Sequence, residues 1–242
     1  MIKKISYPIN HKFPDLICET LWIEDGNFES KGNQHLTAGN YLKVLSSVDY
    51  NINRIAAAEQ IHGGKVMKTD CPGIMGDCDG LITQTTGLYL LIRTADCAAI
   101  FIYDAKNKVL ANLHAGWRGL NKHILLNGMT ILFNDYNSKP ADIFVEVSPL
   151  IQSCCYRVGN EFPKLFPSNF FYKKEDKLFL DLKGIIFQQL IGCGIPEKQI
   201  NLSDICTHCD PRLLPSHRRT KSANRMFNLM VLRDFFEHKH LS

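Results

Sequence analysis

No stretch of this chain approaches the roughly 20 consecutive apolar residues that a membrane-spanning helix requires, so no membrane association is expected. The opening residues, Met-Ile-Lys-Lys-Ile-Ser-Tyr-Pro, lack the apolar run of a secretory signal, which points to a cytoplasmic location. Charge of one sign is also scarce. The 28 basic and 24 acidic residues leave a formal net charge of +4, spread along the sequence. A nucleic-acid binder normally carries a denser basic stripe, so nucleic acid is not expected as a partner. The densest basic run is His217-Arg218-Arg219, with Lys221 and Arg225 close by, and a local pocket for phosphate is the more economical reading of it. A disulfide-scaffold pattern is missing too. Nine cysteines, an odd number, stand at 18, 71, 78, 97, 154, 155, 193, 206 and 209. In a chain this long they read as core thiols or metal ligands in a reducing compartment.

What is present is an ordinary globular composition: 242 residues, 45% hydrophobic and 21% charged, enough for a sizeable core. No linker-like stretch divides the chain, so one domain over residues 1–242 is expected. Residues 1–34 read as irregular apart from a strand beginning at Leu16-Ile17-Cys18, and residues 36–48 have helical spacing. A strand is expected over Ile55–Gln60, a turn at His62-Gly63-Gly64, and a further strand through Val66 and Met67. The glycines and proline of 71–80 mark a loop before a short strand, Leu81-Ile82-Thr83. Leu88–Thr94, Ala98–Tyr103 and Lys108–His114 are short, continuous apolar runs, the pattern of buried strands. Helices are predicted over Asn121–Phe133 and Leu182–Ile191, and strands over Asp142–Val147 and Arg225–Leu232, with Ile205 to Pro215 irregular. Strands in groups with few helices indicate an α+β fold, a single domain of layered mixed β-sheets flanked by helices.

Three segments place a metal-capable side chain at the end of a predicted strand, beside turn-forming residues. They are Glu59-Gln60-Ile61-His62-Gly63-Gly64, Arg93-Thr94-Ala95-Asp96-Cys97 and Leu113-His114-Ala115-Gly116-Trp117-Arg118-Gly119. Glycine after a histidine lets the backbone turn sharply and frees the imidazole to face a cleft. Two imidazoles and a thiolate (His62, His114 and Cys97) make the three-ligand form of a catalytic zinc site, with a fourth position open to water or substrate. Taken one at a time, each histidine also suits a hydrogen-bonded surface turn, and Cys97 suits the core. The three are scattered, and spacing alone does not choose between these readings. Cys206-Thr207-His208-Cys209 invites a second metal, but no second ligand pair lies near it in the sequence, so no second site is expected there.

Gln60-Ile61-His62-Gly63, Thr94-Ala95-Asp96-Cys97 and His114-Ala115-Gly116-Trp117-Arg118-Gly119 resemble the three signatures of one family. It is known as the multicopper polyphenol oxidase or laccase-like family, and as bacterial purine nucleoside phosphorylase and adenosine deaminase. Cys78-Asp79-Gly80-Leu81-Ile82-Thr83, the stretch from Ser148-Pro149-Leu150-Ile151 to Cys154-Cys155-Tyr156-Arg157-Val158-Gly159, Asp204-Ile205-Cys206-Thr207 and Ser216-His217-Arg218-Arg219 agree with it. The resemblance runs in order over roughly residues 55–232. It implies zinc at His62, Cys97 and His114, with copper as the rival metal. It also implies purine nucleosides and phosphate as small-molecule partners: phosphorolysis of adenosine, inosine and 5′-methylthioadenosine to base and ribose 1-phosphate sugar, and deamination of adenosine.

The sequence departs from the family pattern in having no arginine in Ile23-Glu24-Asp25-Gly26-Asn27-Phe28, and in Ser148, Arg157, His217 and Asn224. Within that chemistry Asp96 is the nearest acidic candidate for a proton carrier, or a brace for the ligand loop. Arg118 suits bidentate grip on phosphate, or a structural ion pair, and Arg218 is a further substrate-binding candidate that equally suits a solvated basic face. Trp117 is expected to pack under the metal loop. Two rival enzymes share the residues: a Cys97–His114 hydrolase, such as one editing peptidoglycan precursors, and a copper-dependent polyphenol oxidase. Multicopper chemistry needs more convergent histidines than these two, and the whole chain has nine.

Overall fold

A computed structural model describes residues 2–23, 50–222 and 224–233. The helix expected over 36–48 lies outside them. In chain order the elements are β1 (Ile2–Ser6), α1 (Ile9–Lys12), β2 (Leu16–Ile23), β3 (Ile55–Ala58), β4 (Val66–Lys68), β5 (Gly73–Met75), β6 (Gly80–Thr83), β7 (Tyr89–Thr94), β8 (Ala98–Asp104) and β9 (Val109–Ala115). There follow α2 (Trp117–Asn121), α3 (Ile124–Tyr136), β10 (Ile143–Val147), β11 (Arg157–Val158), β12 (Phe171–Lys174), β13 (Lys177–Leu180), α4 (Leu182–Gly192), β14 (Ile200–Leu202), α5 (His217–Thr220) and β15 (Met226–Leu232). Among the described residues no helix is long and apolar enough to cross a membrane.

The architecture is mixed α/β, as the grouping of strands and helices predicts. One six-stranded sheet runs β1-β2-β15-β7-β3-β5, a second runs β14-β10-β8-β9-β6-β4, and a three-stranded sheet runs β11-β13-β12. The second sheet is the middle layer. Side chains alternate across a strand, so the odd and even positions of β8 serve different cores. Ala99, Phe101 and Tyr103 face Leu90, Ile92 and Met230 of the first sheet. Ala98, Ile100 and Ile102 face Ile124, Met129 and Leu132 of α3 and Ile185 and Ile186 of α4. Burial on both sides is why β7, β8 and β9 read as unbroken apolar runs.

Several expectations need correction. Residues 2–23 are not irregular: β1 and β2 pair antiparallel, Ile2 opposite Ile23 and Ser6 opposite Glu19, and β2 joins β15. Their pattern is hard to read because β2 is covered on both faces yet carries Glu19 and Thr20 in its middle. Those polar groups are satisfied: Thr20 Oγ1 donates to Asn228 Oδ1 at 2.7 Å, and Glu19 pairs with Lys4 at 3.0 Å and accepts from Tyr50. The loop expected over 71–80 contributes a short parallel edge strand, β5. The helix expected over 121–133 is two helices, because His123 adopts a left-handed conformation (φ 59°) between them. The apolar set Ile124, Leu125, Met129 and Leu132 does form the buried face of α3.

Glu146, on β10, is a buried acid. Its Oε1 accepts from the Ile9 N–H at 2.9 Å and its Oε2 from Asn201 Nδ2 at 2.7 Å. Burial pushes its carboxyl up to about 7, against the smaller opposing pull of those two donors. A carboxyl raised in the folded state binds protons more tightly there than in the unfolded chain. Its contribution is therefore fully present below about pH 4.5 and is lost as pH rises through about 7. Denaturant unfolding at a series of pH values should show this decline, of at most about 3 kcal/mol, and Glu146→Gln should flatten it. An unchanged pH profile in that variant would refute the assignment.

Candidate metal centre

The cleft forms where several strands end at one edge. β3 and β7 run parallel, so Glu59 and Gln60 leave the sheet beside Arg93 and Thr94. Gln60 continues the pairing with its side chain: Oε1 accepts from the Arg93 N–H at 2.9 Å and Nε2 donates to the Arg93 carbonyl at 2.8 Å. β8 and β9 form an antiparallel hairpin whose register sets Ala98 opposite Ala115 and Ala99 opposite His114. Cys97, just before β8, therefore lies next to His114, just before the end of β9. The open cleft has a volume of about 580 Å³, and its lining includes His62, Cys97, His114, Trp117, Tyr156 and Arg225.

The structure brings His62, Cys97 and His114 together. One ligand atom from each lies within 4.8 Å of the others. The two imidazoles meet edge to face, with ring centroids 4.8 Å apart. His62 is exposed at the cleft, Cys97 half-buried and His114 buried. His62 takes a left-handed backbone (φ 57°), which reverses the chain after β3. Gly116 answers a different need. Its backbone (φ −94°, ψ 172°) suits any residue, but a Cβ there would lie 2.6 Å from Cys97 Sγ.

Asp79 organises the centre, a role not assigned to it from sequence. It is fully buried at the start of β6. Its Oδ1 accepts from His114 Nδ1 at 2.7 Å and from the His62 N–H at 2.9 Å. Its Oδ2 accepts from the Gly63 N–H at 2.6 Å and the Ile61 N–H at 3.2 Å. One carboxylate thus fixes the His62 turn and the His114 ring together. With Nδ1 engaged, Nε2 of His114 is the nitrogen left for a cation, the usual arrangement behind a metal-bound histidine. Burial pushes Asp79 up, but the His114 hydrogen bond and the backbone donors outweigh it and hold the carboxyl below its ordinary value. The available signal was an acid set directly before a short apolar strand, where a carboxylate that becomes buried must be paired.

Cys97 and His114 are hydrogen-bonded and shift each other's titration in opposite directions. Burial raises the thiol, yet the charge of His114 and hydrogen bonds from both imidazoles bring it down to about 6. Burial lowers His114, yet Cys97 and Asp79 lift it to about 9. At neutral pH the metal-free pair is thiolate and imidazolium, which prepares a soft ligand or a nucleophile equally well.

Asp96 lines the cleft, but both its oxygens are engaged. Oδ1 accepts from Thr207 Oγ1 at 2.7 Å and Oδ2 from the Arg218 N–H at 2.6 Å. Arg118 is exposed at the cleft, with its guanidinium 4.5 Å from the centroid of the Trp117 ring. Trp117 packs on Phe162, centroids 4.9 Å apart. Arg218 lies over Tyr156 and donates to the Arg157 carbonyl at 2.6 Å. Arg219 is turned into the protein, donating to the carbonyls of Thr207, His208 and Leu214. Two further arginines line the cleft: Arg225, which belongs to the basic run read as a phosphate pocket and donates to the carbonyls of Ser222 and Asn224, and Arg93, which had no assigned role and donates to the Ala58 carbonyl. Arg93, Arg118, Arg218 and Arg225 face two acids there, Glu59 and Asp96, so the cleft is cationic.

The family model described as multi-copper polyphenol oxidoreductase laccase matches residues 25–233. Among curated relatives, a purine nucleoside phosphorylase of Aquifex aeolicus is 36% identical over 176 residues, covering 72% of this chain and 80% of the relative. Purine nucleoside phosphorylase YlmD of Geobacillus stearothermophilus is 30% identical over 204 residues, covering 75% and 73%. Among solved structures, hypothetical protein YfiH of Bacillus licheniformis superposes with a TM-score of 0.79 at 25% identity, over 92% of this chain and 94% of that one. YlmD from Geobacillus stearothermophilus has the same fold, with a TM-score of 0.80 at 24% identity over 92% and 93%.

Proposed function

This chain belongs to the multi-copper polyphenol oxidoreductase laccase family, and from that premise we propose that it is a zinc-dependent purine nucleoside enzyme of the cytoplasm. The observation that carries the reading is the convergence of His62, Cys97 and His114 on one point of a cationic cleft, with Asp79 fixing the last of them. Relatives named purine nucleoside phosphorylase support the substrate class. The reactions proposed are phosphorolysis of adenosine, inosine and 5′-methylthioadenosine, and deamination of adenosine.

The donor set suits zinc: two neutral nitrogens and one thiolate, with the remaining direction open to the cleft. When bound, the ion supplies Lewis acidity at the substrate. Copper is the rival metal. Among the described residues the other clustered donor group is made of cysteines alone, which does not build a multicopper centre. In phosphorolysis a phosphate oxygen bonds to C1′ as the bond from C1′ to the base breaks, and the base leaves with a proton. In deamination water adds at C6 and ammonia departs. Arg118, exposed and lying over the Trp117 ring, is placed to grip phosphate. Arg218 and Arg225, held by backbone carbonyls, add a fixed positive field. Asp96 acts by bracing: it ties the Cys97 turn to Thr207 and to the start of α5.

A second reading has its own support. Asp79, His114 and Cys97 lie in a hydrogen-bonded line, the order of a Cys-His-Asp nucleophile set, which suits a hydrolase. His62 at the same sulfur is what that reading leaves without a task. Metal-replete protein incubated with adenosine and phosphate is expected to release adenine, inosine and hypoxanthine, separable by chromatography. Arg118→Ala should raise the KM for phosphate about tenfold. Cys97 should resist alkylation until a chelator is added. No base and no inosine from zinc-loaded enzyme would end the nucleoside reading. Fast alkylation of Cys97 in the zinc-loaded protein would favour the hydrolase.

A further inference from the structure

No second ligand pair lies near Cys206 and Cys209 in the sequence, and the fold supplies one. The turn at Cys154-Cys155 is carried against them by a parallel bridge between Leu150 and Cys206 and by the Thr207 N–H donating to the Leu150 carbonyl at 3.1 Å. The four sulfurs all lie within 4.8 Å of one another. Two of the separations are 3.6 Å (Cys154 to Cys155) and 3.9 Å (Cys154 to Cys209). A tetrahedral zinc with bonds of about 2.3 Å sets its sulfurs about 3.8 Å apart, so the observed spacing is that of a tetrathiolate site.

The backbone fits as well. Cys206-Thr207-His208-Cys209 has the two-residue gap usual for a pair of zinc thiolates. The N–H groups of Gln152, His208 and Cys209 point at Cys206 Sγ, where they stabilise negative charge. Arg219 holds this loop rigid through the carbonyls of Thr207 and His208, at 2.8 Å each. Unlike a buried free thiol, Cys154 and Cys209 are exposed, so packing does not explain their presence.

We propose that Cys154, Cys155, Cys206 and Cys209 form a second, structural zinc site, separate from the His62–Cys97–His114 centre. It clamps two loops that between them carry one wall of the cleft. Tyr156 follows the first pair directly. Thr207, inside the second, bonds Asp96, which holds the start of α5 where His217 and Arg218 enter the cleft. The site is independent of what the cleft catalyses.

The test uses the whole protein purified with zinc and a thiol reductant. Elemental analysis should give two zinc ions per chain. Cys206→Ser with Cys209→Ser should leave one, and His62→Ala should also leave one. A second measurement needs no variant: alkylation mapped by peptide mass spectrometry on the wild-type protein. Cys154 and Cys209 should be protected by zinc and open on chelation, while Cys71, exposed and outside the cluster, reacts in both states. The proposal is overturned if Cys154 and Cys209 react equally fast with and without zinc. It is also overturned if the reduced wild-type protein binds a single zinc that the cysteine variant retains, or if the four cysteines are found as disulfides, each bridge lowering the mass by two hydrogens. Zinc retained in His62→Ala through the four thiols separates this outcome from any failure of the proposed nucleoside chemistry.

Discussion

Replacing Gly116 with alanine is expected to empty the His62–Cys97–His114 centre while leaving the fold standing. The backbone at Gly116 is extended, so alanine is not strained there. The demand is for space alone. The new Cβ would fall 2.6 Å from Cys97 Sγ and 4.0 Å from His62 Cδ2, and the first contact is closer than any real one. Cys97 has a single side-chain torsion, so its sulfur relieves the clash by rotating away from the two imidazoles. That removes the thiolate, and metal affinity should fall at least about 100-fold, with kcat/KM falling in step. Competition against a graded series of chelators measures the first, and steady-state kinetics the second. Gly192→Ala is the control: nothing lies within 4 Å of a Cβ there, so affinity and activity should not change. A Gly116→Ala protein that keeps tight metal binding would show that the thiolate does not sit where the site requires.

Asp79→Asn should produce the other large effect, through a carboxylate that supports the proposed metal ligands without being one of them. Each Asp79 oxygen accepts two donors, one pair being His114 Nδ1 and the His62 N–H, the other the Gly63 and Ile61 N–H groups. An amide of the same shape has one oxygen and one NH2, so whichever way it turns, two donors face a donor. If the NH2 faces His114, the ring is driven to the tautomer with its proton on Nε2, and the lone pair meant for the metal is gone. If it faces the turn, the Gly63 N–H is left buried and unpaired, at a cost of about 1–3 kcal/mol. Metal affinity should drop about 10–100-fold, and the melting temperature should fall even in the metal-free protein. Loss of affinity with no loss of metal-free stability would mean that the carboxylate serves the ring alone. An unaltered affinity would remove Asp79 from the centre altogether.

The separate parts of this molecule were legible in the sequence to very different degrees. β7 in the first sheet and β8 and β9 in the middle layer stand out because each is buried on both faces, which leaves a local, continuous apolar signature. Their ends carry His114, Arg93 and the start of the Cys97 turn, so the segments that matter most were also the easiest to place. β1 and β2 did not stand out, since Glu19 and Thr20 interrupt a buried strand and are compensated by partners far away in sequence. The acid beside Cys97 drew attention as a proton carrier, yet the bracing carboxylate on His114 is Asp79. Adjacency along the chain was a poor guide there, because β6 pairs with β9 and sets Gly80 opposite Leu113.

The sequence alone determined which side chains were available: two histidines and a cysteine in turn-prone segments, four further cysteines, and a scatter of arginines. An unbroken apolar run is a local property, so the sequence also determined where the central strands run. Only the tertiary structure decided which of those side chains meet. Cys154 and Cys209 are 55 residues apart and their sulfurs are 3.9 Å apart. Their proximity, like the focusing of Arg93, Arg118, Arg218 and Arg225 on one cleft, comes from strand register and loop closure. These are relations between distant segments, and no single stretch of chain encodes them.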